Sequence, residues 1–151
     1  MSSLKDTLRS DLTESIRERD ELRSSTLRMA LTSVTNEEVA GDQARELSDD
    51  EVLSLLVREA KRRREAATAY DDANRPELAE RERAELVVIE GYLPAQLSDD
   101  ELSALVADAI ADTGAEGPRA MGQVMKAVQP KVAKRADGGR VSAEVRRQLG
   151  M

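Results

Sequence analysis

The residues best suited to chemistry in this chain are basic, and they are concentrated near its end. Residues 114–151 carry eight basic and three acidic residues, a net charge of +5, whereas residues 1–113 carry a net charge of −12. Such an asymmetry indicates an anionic partner for the basic segment, although docking of this segment onto the acidic body explains it equally well. The candidate nucleic-acid-binding residues are Arg119, Lys126, Lys131, Lys134, Arg135, Asp137, Gly138, Gly139, Arg140, Arg146 and Arg147.

Within this set, Arg135 and Arg140 flank a predicted turn at Asp137-Gly138-Gly139. Backbone amides exposed at a turn beside two arginines form a suitable contact for a phosphate group. An A-form RNA helix can be held in this way through its shape and backbone, without aromatic side chains. We therefore expect residues 135–140 to contact nucleic acid.

The residue types that the chain lacks exclude several classes of activity. It has no Cys and no His, which removes thiol nucleophiles, zinc–thiolate sites and imidazole-based triads. The pairs Asp49-Asp50 and Asp99-Asp100 fit the first turns of helices, where the helix dipole favours anions, better than they fit a metal site. No phosphate-binding loop or nucleophile elbow is present. We expect no catalytic residue, no metal site and no cofactor.

The composition also limits which partners and which cellular compartment are expected. The only aromatic residues are two tyrosines, so a base-stacking platform for single strands is not expected. No apolar run approaches about 20 residues, and the first residues contain no signal-peptide core. We expect a cytoplasmic protein that contacts no membrane and does not read DNA sequence.

Helical periodicity in the first half of the chain positions four helices. Apolar residues recur every three or four positions over residues 4–16 and again over residues 27–34, which predicts the first two helices. The polar residues 20–25 are expected to interrupt them, and Gly41 to end the second helix in a left-handed conformation. Ser48 and Glu51 form a capping box that begins the third helix.

A boundary between two units is predicted near Pro94. Pro76 fits the first turn of a fourth helix, because it lacks an amide hydrogen. The punctuation Gly91-Tyr92-Leu93-Pro94 ends that helix. The predicted fold is all-α: an N-terminal four-helix unit at residues 1–93, followed by a small three-helix C-terminal domain at residues 94–151.

Three short helices are predicted after Pro94. The capping box of Ser98 and Glu101 begins the fifth helix, and Gly114 ends it. The sixth opens at Gly117-Pro118, and Ser142 is predicted to cap the last one. The apolar face of the sixth helix is expected to contain Met121, Val124, Met125 and Val128. Gly122, within that helix, is interpreted as permitting close helix packing.

Four stretches of the sequence together resemble the GatB/YqeY family. They are Lys61–Glu65 with Tyr70, Glu85–Ser98, Met121–Met125 and Arg135–Gly139, and the resemblance covers essentially the whole chain. It implies a small two-domain helical protein similar to the tail region of the B subunit of the tRNA-dependent amidotransferase, a tail that is implicated in holding tRNA. The family label also implies carbon–nitrogen ligase activity with glutamine as amido-N-donor, but this chain lacks the glutaminase and kinase-like catalytic parts.

The resemblance thus implies a non-catalytic module that binds tRNA or another structured RNA, with residues 135–139 as the turn that faces it. An alternative is a helical adaptor or scaffold whose partner is a protein. An independent ligase has no residues to support it, and we do not expect the chain to catalyse a reaction by itself. The basic run Lys61–Arg64 has two interpretations, a polyanion site or intrahelical ion pairs with Glu59 and Glu65.

Overall fold

The computed structural model describes residues 3–114 and 116–151, and in these ranges the secondary structure is entirely helical. The helices are α1 (Leu4–Arg17), α2 (Glu21–Glu38), α3 (Asp49–Asp72), α4 (Pro76–Glu90), α5 (Asp99–Thr113), α6 (Met121–Val132) and α7 (Gly138–Gln148). A 3-10 turn at Pro118–Ala120 leads into α6. No strand occurs among the described residues, so the all-α prediction is confirmed.

The chain divides into two compact units between Leu93 and Pro94. The first contains α1 to α4, and the second contains α5 to α7. In the first unit α3 and α4 form a helical hairpin joined by residues 73–75, while α2 packs on both α1 and α4. Its core is aliphatic and consists of Leu8, Leu27, Ala30, Val34, Leu47, Val52, Leu55, Leu56, Ala60 and Ile89.

The second unit has a separate core built almost entirely from small aliphatic side chains. It consists of Leu97, Leu102, Val106, Ala109, Ala120, Val124, Val128, Val132, Ala136, Val141 and Val145. Met121 and Met125 are partly buried against it, so the predicted apolar face of α6 is confirmed. Because α6 directs this face into the core, its remaining surface is turned to solvent.

The helix ends follow local sequence chemistry at most of the predicted positions. The amide of Glu51 donates to the Ser48 hydroxyl at 3.2 Å, and the Ser48 amide donates back to the Glu51 carboxylate at 3.2 Å. Ser98 and Glu101 form the same reciprocal pair at 3.1 and 3.0 Å. Pro76 is the first residue of α4, and Gly114 ends α5 with a left-handed φ of 64°. All these predicted signals are confirmed.

The prediction for the start of α2 is confirmed in part, and the prediction for its end is wrong. The expected break between the first two helices is present, but it covers only residues 18–20, because the Asp20 carboxylate accepts the Arg23 amide at 3.1 Å and α2 begins at Glu21. Ser24 is buried, and its hydroxyl is 2.8 Å from that of Ser15 on α1, so each satisfies the other. At the other end α2 stops at Glu38, and Gly41 has no left-handed backbone.

The predicted start of the last helix is also wrong. Asp137, not Ser142, caps α7, because its carboxylate accepts the Arg140 amide at 2.9 Å. This start places Val141 and Val145 four residues apart on one face, and both are buried. Gly138 and Gly139 therefore lie in the first turn of a helix, and not in an open turn.

Candidate nucleic-acid interface

The outward surface of α6 carries only positively charged ionisable side chains. From Gly117 to Ala136 the sequence contains no Asp or Glu, and it contains five of the basic residues. Gly122, Gln123 and Lys126 are exposed on α6, opposite the buried valines. The sequence thus builds a helix with an aliphatic inner face and an outer face that carries positive charge and amide groups.

Arg119 and Lys126 are the free cations of this surface. Both are exposed, and within residues 3–114 and 116–151 neither forms a hydrogen bond or an ion pair. The two residues are seven positions apart, which is about two helical turns. They therefore lie on the same side of the helix, with their Cα atoms about 10 Å apart. Arg146 on α7 is likewise exposed and unpaired among the described residues.

Two further candidates at the end of α6 have partners in the protein. The Lys131 ammonium lies 3.1 Å from the Asp112 carboxylate of α5. Lys134 follows Ala133, and both have left-handed backbones with φ of 66° and 50°. Lys134 is partly buried and is engaged in an interaction within the protein. The two lysines are therefore less available to an external ligand than Lys126.

Arg135 and Arg140 hold the segment that precedes α5. The Arg135 guanidinium donates to the Ala95 carbonyl at 3.3 Å, and its backbone carbonyl accepts the Leu97 amide at 2.7 Å. The Arg140 guanidinium donates to the Leu97 carbonyl at 3.0 Å and to the Asp99 carboxylate at 2.9 Å. The expectation of free arginines beside an open turn is therefore corrected, because both side chains bond to the protein.

Arg147 is also occupied. Its guanidinium contacts the Glu144 carboxylate on the same helix at 3.0 and 3.1 Å. Glu144 also accepts from the Gln148 amide at 2.9 Å, and these two donors lower the pKa of the Glu144 carboxyl to about 2. Of the eight predicted cations, the structure leaves Arg119, Lys126 and Arg146 exposed without a partner among the described residues.

The interpretation of Gly122 as a packing residue is wrong. A Cβ placed on it would meet no atom within 4 Å outside its own helix. The residue is exposed, and its backbone is not left-handed. The fold of this chain therefore needs no glycine at this position, which is a point that helical periodicity alone does not reveal.

The comparison with known protein families finds a family that matches this chain. The profile of the family described as "Yqey-like protein" matches residues 5–149, which is nearly the full chain. The chain belongs to the Yqey-like protein family. The resemblance drawn from the four sequence stretches is thereby confirmed.

Two curated proteins are similar to this Yqey-like chain over most of its length. One is named "Altered inheritance of mitochondria protein 41, mitochondrial" and comes from Pyrenophora tritici-repentis. It is 28% identical over 148 residues, which cover 95% of this chain and 79% of that protein. The protein of the same name from Lachancea thermotolerans is 28% identical over 149 residues, covering 94% and 79%.

The first unit of the Yqey-like chain contains a polar cluster that periodicity did not predict. The Tyr92 hydroxyl donates to the Asp11 carboxylate, and the Arg23 guanidinium lies 3.9 Å from the same carboxylate. These side chains line a cavity of about 270 Å³ together with Val88 and Gly91. Burial, followed by the bond to Asp11, raises the pKa of Tyr92 to about 12. The cluster ties α1 and α2 to the end of α4.

The basic run on α3 is largely neutralised within the first unit. Arg63 is buried, with its guanidinium 2.9 Å from the Glu59 carboxylate and 3.5 Å from that of Glu85 on α4. Arg62 and Lys61 pair with Glu59 and Glu65 at 3.5 and 4.0 Å. The interpretation of the run as ion pairs within the helix is confirmed, and the pairing with Glu85 was missed.

No group of three or more acidic side chains that could hold a metal ion occurs among the described residues. None of the helices in that part of the chain is long and apolar enough to cross a membrane. In the second unit, the exposed cations Arg119, Lys126 and Arg146 are available to an external ligand.

Proposed function

We propose that this Yqey-like protein is a non-catalytic module that binds tRNA or a related structured RNA through its C-terminal unit. The observation that carries the proposal is the set of free cations, Arg119, Lys126 and Arg146, on a unit whose apolar core is already complete. Exposed cations without partners neutralise phosphates at no cost in broken ion pairs, and phosphate contacts supply most of the sequence-independent affinity for nucleic acids.

Two observations favour structured RNA as the ligand: the second unit has no aromatic residue, and the family resembles a region that holds tRNA. The unit from Pro94 onward has no aromatic residue, so bases have no side chain on which to stack. A helical RNA is recognised instead by shape, phosphates and 2′-hydroxyl groups. The resemblance to the tail of the tRNA-dependent amidotransferase supports tRNA as the first RNA to test.

The absence of catalysis is part of the same proposal. The family label of a carbon–nitrogen ligase requires an activated nucleophile for glutamine and a site for ATP. The chain contains neither Cys nor His, and its glycine pattern provides no phosphate loop. The purified protein is expected to hydrolyse neither glutamine nor ATP. Turnover that survives repurification and is abolished by a point mutation in this chain would refute this part.

The test is a titration of the full chain with tRNA, followed by fluorescence anisotropy at several salt concentrations. With three free cations and one or two that exchange partners, log K should fall with log salt at a slope of magnitude roughly 2–4. Absence of binding at about 50 mM salt would overturn the proposal, as would an affinity independent of salt. A pull-down with and without RNase then decides for the alternative, an adaptor with a protein partner.

The cytoplasmic location expected from the sequence belongs to the proposal as well. The two curated relatives carry the word "mitochondrial" in their names. Imaging of the tagged full-length chain in its own cells gives the compartment directly. A diffuse cytoplasmic signal supports the expectation, and a signal confined to an organelle contradicts it.

A further inference from the structure

On the outer face of α6, a glycine that no neighbouring atom requires lies between two free cations. Arg119, Gly122 and Lys126 follow one another at intervals of three and four residues along the 3-10 turn and α6. Residues at these intervals share one side of a helix. This surface, with Gln123 beside it, is called the α6 face below.

Gly122 is the informative residue of the α6 face. Glycine lowers the stability of a helix relative to alanine, because it loses more backbone freedom on folding. At this position neither a left-handed backbone nor a close neighbour calls for glycine. What the missing side chain does provide is a flat place where the backbone of another molecule can approach the helix closely.

We propose that the α6 face is the surface that receives the sugar–phosphate backbone of helical RNA, with Gly122 at the point of closest approach. This inference rests on the proposed function and refines it, because it assigns the binding surface to α6. Arg119 and Lys126 neutralise phosphates on either side of Gly122. The exposed amide of Gln123 hydrogen-bonds to phosphate or 2′-hydroxyl oxygens.

Charge and composition favour RNA over an anionic membrane as the partner of the α6 face. The α6 face carries positive charge, and no acidic residue lies between Gly117 and Ala136, so it is complementary to a polyanion. Insertion into an anionic membrane needs large apolar side chains on the same face, and the exposed residues here are Gly122, Gln123 and Lys126. An acidic protein surface is the remaining competitor, and the experiment separates it.

The basic residues of the second unit fall into two groups with different surroundings. Arg135 and Arg140 contact the carbonyl groups of Ala95 and Leu97, so they shape the start of the second unit. The α6 face, in contrast, takes no part in the core and forms no ion pair through Arg119 or Lys126 among the described residues. Ligand binding and structural support therefore fall to different basic residues.

A matched pair of glycine substitutions in the full chain tests the assignment. Gly122 and Gly138 are both exposed, both lie in the first turn of a helix, and a Cβ at either meets no atom within 4 Å. Gly122→Ala and Gly138→Ala should each leave the melting temperature unchanged or raise it. Only Gly122→Ala should weaken binding of a short RNA duplex, by severalfold in an anisotropy titration.

A second experiment tests the role of positive charge on the α6 face with the double variant Arg119→Ala/Lys126→Ala. The control is Lys61→Ala/Arg62→Ala on α3, which also removes two positive charges. The first variant should weaken duplex binding at least about tenfold at about 50 mM salt and reduce the salt slope by about 1–2. The control should bind like the wild type. Duplex should bind more tightly than either of its single strands.

The outcomes distinguish this inference from the proposed function. If the wild type binds neither duplex nor tRNA, both fail, and capture of an acidic protein becomes the explanation for the face. If the wild type binds RNA but Gly122→Ala and Arg119→Ala/Lys126→Ala bind equally well, the α6 face is wrong and the proposed function stands. Equal weakening by Gly138→Ala would also overturn it.

Discussion

The guanidinium of Arg140 donates a hydrogen bond to the backbone carbonyl of Leu97 at 3.0 Å, across a sequence separation of 43 residues. Leu97 is buried, and its amide donates in turn to the Arg135 carbonyl at 2.7 Å. Both backbone groups of this residue are thus satisfied by the segment that begins α7. The contact fixes where the chain enters the second unit.

Replacement of Arg140 by Ala should therefore destabilise the second unit. The variant loses a charge-assisted hydrogen bond to the Leu97 carbonyl, which is worth about 1–2 kcal/mol. Its ion pair with Asp99 adds little, because that carboxylate is 97% exposed. Urea unfolding gives the free energy, and amide hydrogen exchange at Leu97 reports the local loss.

Arg146→Ala is the matched control for this prediction. Arg146 has the same charge and lies on the same helix, but it is exposed and unpaired among the described residues. Its removal should leave both the free energy of unfolding and the exchange rate at Leu97 unchanged. Equal effects of the two variants would show that charge, and not the contact with Leu97, stabilises the unit.

The second prediction concerns the buried Arg63 in the first unit. Its guanidinium lies between the carboxylates of Glu59 and Glu85, both nearly buried. Arg63→Ala removes the buried cation between the two carboxylates and leaves them only the exposed side chains of Arg62 and Arg81 as partners. This should cost about 3 kcal/mol of stability, the lower end of the range for breaking a buried ion pair. Chemical denaturation followed by far-UV circular dichroism measures the change.

Arg62→Ala provides the comparison, since Arg62 pairs with the same Glu59 at 3.5 Å but has a side chain that is 76% exposed. Exposed pairs contribute at most about 1 kcal/mol. The loss of unfolding free energy should thus be severalfold larger for Arg63→Ala than for Arg62→Ala. If Arg63→Ala is as mild as Arg62→Ala, water must reach the buried carboxylates.

The parts of this fold that the sequence predicts are those with local causes. The capping boxes at Ser48 and Ser98 need only residues three positions away, and Pro76 and Gly114 act through their own backbones. The periodicity of α6 likewise identified its buried face. Helix count and fold class follow from such signals, because each can be evaluated within a few residues.

The features of the fold that the sequence does not predict depend on contacts between residues that are distant in the sequence. Asp137 and Ser142 are both competent caps, and the choice of Asp137 follows from the burial of Val141 and Val145 in the complete core. In the same way, the sequence alone suggests that Arg140 binds phosphate. Only the fold shows that its guanidinium is hydrogen-bonded to the Leu97 carbonyl. Without the fold, the sequence cannot separate paired from free cations.

The third prediction is a loss of stability in acid that depends on Glu144. Hydrogen bonds from Arg147, and then from Gln148, lower the pKa of Glu144 to about 2 in the folded protein. A depressed pKa contributes stability that is present above the unfolded value of about 4.3 and is lost as the pH falls towards 2. Glu144→Gln should have lower stability at pH 7 and a flatter profile between pH 5 and 2, measured by thermal melting. Parallel acid profiles for variant and wild type would contradict the assignment.

The last prediction concerns the opposite end of the pH scale and the Tyr92 hydroxyl. Burial, together with the bond to the Asp11 carboxylate, raises the pKa of Tyr92 to about 12. A raised pKa contributes stability that is complete below the unfolded value of about 10 and is lost as the pH rises towards 12. The first unit should therefore weaken above about pH 10, as the unfolded chain ionises and the folded chain does not.

Two tyrosine variants make this measurement direct, because the chain has two tyrosines and no tryptophan. In Tyr70→Phe, Tyr92 is the only phenol, so its absorbance change on titration gives its pKa, which is expected well above 10. In Tyr92→Phe, the stability lost between pH 10 and 12 should shrink, because the folded and unfolded states no longer differ at this group. An ordinary pKa in the first variant would show that the bond to Asp11 does not persist in solution. The contact between α1 and the end of α4 would then have to depend on apolar packing alone.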